Sequence, residues 1–426
     1  MTTLVQRALA PVRHVLANGV VVLVKEARTT PAVTIQAALQ AGSVYDPDSQ
    51  PGLAHFLSRV IDRGTEHRSA DEIAEALDSR GVSLSVGVTR HLLSLACTCL
   101  SEDFDGMLDL LGDVVMRPTF SDSEIAIRRG EIVTAIRQDE DSPSVTAVEG
   151  LMELLYPDGH PYGRRAKGSV ETVESIDRQA LQAFHGARFA PDTLSLVIVG
   201  DIRPQQAIDT AERVFRDWAA APPAPVTLPA ASQPATRRRR VMPMMNKAQA
   251  DIAYGFVAIK RGDPSFYASW IMNNALGQYA LGGRLGARIR ERQGMAYYVF
   301  STLDANVAEG PLTIRAGVSP ANVDRAIESI DHEIAGTVSA GFTEREIAES
   351  RQYLIGSLPR NLETNAGIAA FLLSAELFGL GLDHDVCLPS LLGAVTRDDV
   401  QAAAGRILST ERATIVVAGP YDDSQP

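Results

Sequence analysis

Long apolar runs, paired cysteines and a surplus of positive charge are all missing from this sequence. No stretch of its 426 residues approaches the roughly 20 apolar residues that a membrane-spanning helix needs, so no membrane span is expected. Three cysteines, Cys97, Cys99 and Cys387, are too few for a disulfide framework. Cys97 and Cys99 alternate in a strand-like run, point to the same face, and read as small buried hydrophobes. A formal net charge of -12 argues against nucleic-acid binding. Residues 1–10 lack a signal-peptide pattern. The expectation is a cytoplasmic protein, or a periplasmic one if a leader has been removed. His14, His67, His91, His160, His185, His332 and His384 show no metal-ligand spacing.

What is present is ordinary for a globular protein: 45% apolar and 22% charged residues. The length calls for two or more domains. A weak internal repeat divides the chain. Arg178 to Gly186 leads to the apolar run Leu194 to Gly200, and Arg397 to Gly405 leads to Ala413 to Gly419, with Gln182 and Gln401, Gly186 and Gly405, and Gly200 and Gly419 at matching offsets. Half-chain spacing implies duplicated domains rather than a solenoid. Between them, Pro222, Pro223, Pro225, Pro229 and Pro234 mark a semi-rigid linker that closes on Arg237–Arg240; in an acidic protein this basic run is read as solvated or domain-bridging. The division is 1–220, linker 221–240, and 241–426.

Each half has strands followed by long amphipathic helices. The expected strands are 19–25, 33–39, 82–88 and 92–100 in the first half, and 250–257, 297–303 and 310–318 in the second. The expected helices are 70–80, 104–115 and 122–137, then 265–276, 284–293 and 322–339. The fold class is α+β, with two homologous domains, each a mainly antiparallel sheet with helices packed on one face.

Residues 52–66 read Gly-Leu-Ala-His-Phe-Leu-Ser-Arg-Val-Ile-Asp-Arg-Gly-Thr-Glu. The segment resembles the one that carries H-x-x-E-H in the pitrilysin/insulinase metallopeptidases, the inverzincins. His55 stands at the first histidine, Ser58 at the glutamate and Arg59 at the second histidine. The resemblance also implies a third ligand in a run similar to E-R-G-x-V-x-E-E-I-R; here Arg128 to Arg137 puts Thr134 and Ala135 where the paired glutamates would be. A catalytic zinc needs three protein ligands and an open position, and its water needs a base. Serine is no base near neutral pH, and Arg59 has no lone pair to give. One ligand of three remains. Glu131, one turn before Thr134, is the only spare acid nearby. No metal is expected in this chain, and His55 reads as a hydrogen-bonded residue lining the inherited cleft.

The run Leu281-Gly-Gly-Arg-Leu-Gly-Ala-Arg-Ile-Arg-Glu-Arg-Gln-Gly-Met-Ala-Tyr-Tyr-Val299 is similar to the family's S-R-L-x-x-x-[LI]-R-E-x-x-G-L-A-Y-x-V. Arg290 and Tyr297 fall where active members place substrate contacts. Gly294 is a natural helix cap, and a helix end followed by a strand start can converge two side chains. A guanidinium there can hold a peptide carbonyl, and a phenol can donate to an oxyanion. The commonplace reading is a half-buried sheet tyrosine and an arginine paired with Glu291.

The resemblance implies a non-zinc subunit of a heterodimeric zinc endopeptidase. A zinc-bearing homologous subunit would hold the metal, and Arg290 and Tyr297 would serve substrate and transition state in trans. The substrate would be a peptide, with the strand region 88–100 offered as a partner for strand addition. The alternative is an inert structural or peptide-binding homologue, with a homodimer possible when no partner is present.

Overall fold

The structure is a computed structural model, and it describes residues 8–278 and 282–422. Residues 1–7, 279–281 and 423–426, which include Leu281 and most of the N-terminal stretch read above, lie outside the described residues. Two compact units are present. One comprises the chain up to Ile136, Arg165–Thr227 and Leu358–Val386; the other comprises Arg137–Arg164, Leu228–Ser357 and the chain from Cys387.

In the first unit the strands are β1 (Val12–Val15), β2 (Val21–Glu26), β3 (Ala32–Leu39), β4 (Ser85–Val88), β5 (Leu93–Leu100) and β6 (Leu194–Gly200), in the sheet order β1-β2-β6-β3-β5-β4. β6 runs parallel to β2 and antiparallel to β3, so the sheet is mixed. The run that ends the first repeat is therefore interior, which explains its unbroken apolar character. Alternate residues face opposite ways. Val22, Val24, Ile35, Ala37, Leu196 and Ile198 join the main core, where helices Leu53–Val60 and Phe104–Met116 pack. Cys97 and Cys99 are free and buried in this same core.

Leu23, Ala38, Val197 and Val199 point the other way, against Ile368, Ala369, Leu372 and Leu373 of helix Asn365–Leu377. Each such buried Leu or Ile contributes about 1.5–3 kcal/mol. That helix comes from the second half of the chain, so the second face of the sheet is also covered.

In the second unit β7 (Arg238–Pro243), β8 (Ala250–Val257), β9 (Ala296–Leu303), β10 (Pro311–Val318) and β11 (Thr414–Gly419) take the order β7-β11-β8-β10-β9. This is the order β2-β6-β3-β5-β4 repeated, with β11 again parallel to its outer neighbour. Helix Pro143–Leu155, from the first half of the chain, packs on β8 and β11. The close approach depends on small residues: a Cβ at Gly150 would press on Met242 and Val416, and one at Gly255 on Leu151. The linear division at 221–240 thus follows the repeat, whereas each compact unit includes one helix from the other half.

The repeat glycines share one physical cause. Gly200 and Gly419 sit at φ 150° and 137°. A Cβ on Gly200 would collide with the Ala32 carbonyl, and one on Gly419 with the backbone at Gln249 and Ala250. Both glycines close a central strand against the start of its antiparallel neighbour.

Two expectations change. Residues 216–237 carry no helix or strand, as a linker should, but the arginine run enters β7. Arg237 pairs with Asp331 at 2.8 Å, Arg239 with Asp324 at 3.0 Å and Arg240 with Glu153 at 2.8 Å, and Arg238 donates to the Leu154 carbonyl at 2.9 Å. These arginines tie an edge strand into its own unit. The strand region 88–100 is covered on its outer side only in part: β4, the outermost strand, pairs with Leu93–Ala96, and its ladder does not extend to residues 97–100.

Candidate functional site

Helix Leu53–Val60 carries the first motif. Its orphan N-terminal amides are met by Asp46, whose carboxylate accepts from Gly52 and Ala54 at 2.8 Å each. His55 is half-buried. Ser58 is 4% exposed and donates its hydroxyl back to the His55 carbonyl at 2.7 Å. Arg59 is exposed and reaches Glu131 of helix Asp122–Glu140 at 3.5 Å. Glu131 also accepts from Arg128 at 2.6 Å, and Arg128 continues to Glu124 at 3.3 Å. The Arg128 hydrogen bond, helped by the Arg59 charge, holds the Glu131 carboxyl below its ordinary range.

The spare acid is therefore engaged by two guanidinium groups. Thr134 is exposed and donates to the Gly130 carbonyl at 2.8 Å, and Ala135 has no donor atom. The structure brings Arg59 to Glu131 across two helices, but it assembles no ligand set. Among the described residues, no group of three or more His, Cys, Asp and Glu side chains lies together. One imidazole beside a guanidinium–carboxylate pair does not meet the donor requirement of a zinc ion.

The second motif begins on a helix wound as a π-helix over Gly286–Arg292. Such wide turns are uncommon and concentrate at functional positions. Two arginines in or just before this segment are held in ion pairs. Arg284 forms a bidentate pair with Glu346 at 2.6 and 2.8 Å, donates to the Gly341 carbonyl at 2.8 Å and stacks 4.3 Å over the Phe342 ring. Burial alone would raise the Glu346 carboxyl; the hydrogen bonds from Arg284 and Thr343 outweigh it and hold the pKa at about 2. Arg288 pairs with the buried Glu333 at 2.8 Å.

Arg290 stays on the exposed side, where it meets Glu291 at 3.8 Å. Gly294, at φ 62°, ends the helix, and its amide bonds back to the Arg290 carbonyl at 3.1 Å.

Tyr297 follows at the start of β9 and is 81% exposed. The pairing of β9 with β10 shifts there: Tyr298 faces Gly317 while Ala296 faces Val318, which leaves Tyr297 as the extra residue of a β-bulge. Bulges re-aim side chains at sheet edges. Arg290 and Tyr297 therefore stand one on a π-helix and the other on a bulge of an edge strand. The sequence marks neither irregularity. It also hides the supporting pair of Tyr298 and Asp251, whose side chains hydrogen-bond between strands that are not adjacent. The one available signal was Gly317, a glycine inside an otherwise apolar strand.

Comparison with known proteins gives the family frame. The description "Insulinase (Peptidase family M16)" matches residues 21–160, and "Peptidase M16 inactive domain" matches residues 175–354. An uncharacterized zinc protease of Mycobacterium leprae is 25% identical over 420 residues, covering 96% of this chain and 92% of that protein. One from Bacillus subtilis is 25% identical over 407 residues, covering 95% and 98%.

Among solved structures, a peptidase M16 inactive domain from Pseudomonas fluorescens superposes with a TM-score of 0.91 at 24% identity, covering 98% of this chain and all of that one. A protease from Helicobacter pylori gives 0.89 at 16%, covering 96% and 99%. These two share the fold. The segment around His55 lies within the first matched region and the run around Arg290 and Tyr297 within the second, and the chain belongs to the insulinase family, peptidase family M16.

Proposed function

We propose that this chain is the non-zinc subunit of a heterodimeric zinc endopeptidase. The observation that carries the reading is a contrast within one molecule. At the positions of the first motif, a guanidinium and a carboxylate pair with each other. At those of the second, Tyr297 is 81% exposed and Arg290 is exposed with Glu291 at 3.8 Å, while the neighbouring Arg284 is held in a bidentate, part-buried ion pair.

A zinc-bearing homologous subunit would supply the metal, its ligands and the glutamate base. This chain would contribute two groups. The Arg290 guanidinium holds a carbonyl of an extended peptide. The Tyr297 hydroxyl donates to the oxyanion that forms as water adds to the scissile carbonyl. No zinc is assigned to this chain.

The test is hydrolysis of a quenched peptide by this chain alone, by a zinc-bearing homologue alone, and by the mixture. Activity should rise strongly only in the mixture. Tyr297→Phe should then lower kcat about 100-fold, the typical worth of one oxyanion donor, and Arg290→Ala should mainly raise KM. A mixture no better than the homologue alone, or variants without effect, would leave an inert structural or peptide-binding subunit. Self-association on gel filtration, together with peptide binding in the absence of any partner, would identify the latter.

A further inference from the structure

Tyr297 owes its direction to the bulge, and a bulge at the outer strand of a sheet needs something to hold it, since its extra residue makes no ladder pairing. The next residue along supplies the hold. Tyr298, Gly317 and Asp251 stand in register on β9, β10 and β8, a row across three strands. The Tyr298 hydroxyl passes over the middle strand and donates to Asp251 Oδ1. It can do so because the middle position is glycine: a Cβ on Gly317 would run into the Tyr298 ring and the Gln249 amide. Gln249 Nε2 donates to the other oxygen of Asp251 at 3.3 Å. Asp251 is only 4% exposed, so losing its phenol partner would leave a buried oxygen short of a donor.

We infer that Tyr298, anchored on Asp251 across Gly317, is the positioning residue that fixes the β9 bulge and so aims Tyr297. The inference rests on the proposed role of Tyr297. Burial first, and then Asp251, push the Tyr298 phenol well above its ordinary range, against the opposing charge of Arg315, so its hydroxyl remains a donor through neutral pH. Tyr298 itself touches no substrate; it acts through the backbone of its neighbour.

Two readouts test this on the full chain. The first is amide hydrogen exchange over 296–299 in the free protein, which is independent of peptidase activity. The second is the kcat and KM of the mixture with a zinc-bearing homologue. Tyr298→Phe should speed exchange across the bulge and lower kcat about 10-fold, with KM within about twofold. The double variant with Tyr297→Phe should lose no more than Tyr297→Phe alone, the non-additivity expected of coupled neighbours. Asp251→Asn keeps an acceptor oxygen and should stay close to the unchanged protein in both readouts. Unchanged exchange and full kcat in Tyr298→Phe would overturn the inference, and so would losses that multiply in the double variant. If Tyr297→Phe is itself silent, the functional reading fails, and the clamp is then upheld or rejected by the exchange result alone.

Discussion

The two halves of this chain share a strand order and differ in what they do with charge. In the first, Arg59 and Glu131 meet at 3.5 Å with side chains 46% and 43% exposed, a pair that water screens on all sides. In the second, Arg284 and Glu346 meet at 2.6 Å with side chains 12% and 30% exposed, beneath an aromatic ring. The first pair joins Arg59, on the helix of the first motif, to Glu131, one turn before Thr134. The second braces a helix whose outer face carries Arg290. The same fold thus supports a screened surface pair in one half and a part-buried bidentate pair in the other. The difference lies in side chains rather than backbone topology.

The sharpest way to break this comparison is to rebuild the first site. A variant with Ser58→Glu, Arg59→His, Thr134→Glu and Ala135→Glu restores the donor types. By equilibrium dialysis it should take up about one zinc per chain, as a three-ligand site does, and the unaltered chain should take up none. Equal uptake by the unaltered chain would end the metal-free reading.

Next in size are the repeat glycines. Gly200→Ala and Gly419→Ala each force a strained backbone into a collision, and each should cost about 3 kcal/mol in denaturant unfolding. A large loss in one and none in the other would show that the two halves are not held alike. Arg284→Ala should cost about 2 kcal/mol, because it leaves Glu346 partly buried without its cation.

The pair also has a pH signature. Glu346 is lowered from its ordinary 4.5 to about 2. Its contribution to stability is therefore fully present above about pH 4.5 and is lost as pH falls toward 2. Glu346→Gln should flatten that part of the acid unfolding profile. The smallest effect belongs to Arg59→Ala, expected within about 0.5 kcal/mol of the unaltered chain, as is usual for an exposed pair. A loss as large as that of Arg284→Ala would erase the contrast between the halves.

Much of the fold was legible because its signals are local. The alternation in β3, the β-branched apolar runs of β6 and β11 and the cap at Gly294 all follow from residue type and spacing. The strand expected at 250–257 matches β8, and that at 310–318 lies within one residue of β10. The helix at 284–293 was legible as a helix but not as a π-helix, and the partners of its arginines, Glu333 and Glu346, lie 45 and 62 residues away, beyond the reach of local spacing. The exchanged helices Pro143–Leu155 and Asn365–Leu377 escaped for the same reason. Their apolar residues state that they are buried, not which sheet buries them.

The sequence by itself determined the duplication and the family frame, and it limits which donor atoms residues 55–59 and 134–135 can offer, because the atoms a side chain can offer are a property of residue type. Arginine and alanine give a metal no side-chain lone pair, and the hydroxyls of serine and threonine are not the donors that zinc sites use. Only the tertiary structure decided which arginines are engaged and which is exposed, where the bulge falls, and that Tyr298 reaches over a glycine to Asp251. Those outcomes depend on partners distant along the chain, and the free energy of each pairing exists only once the sheet has brought its strands side by side.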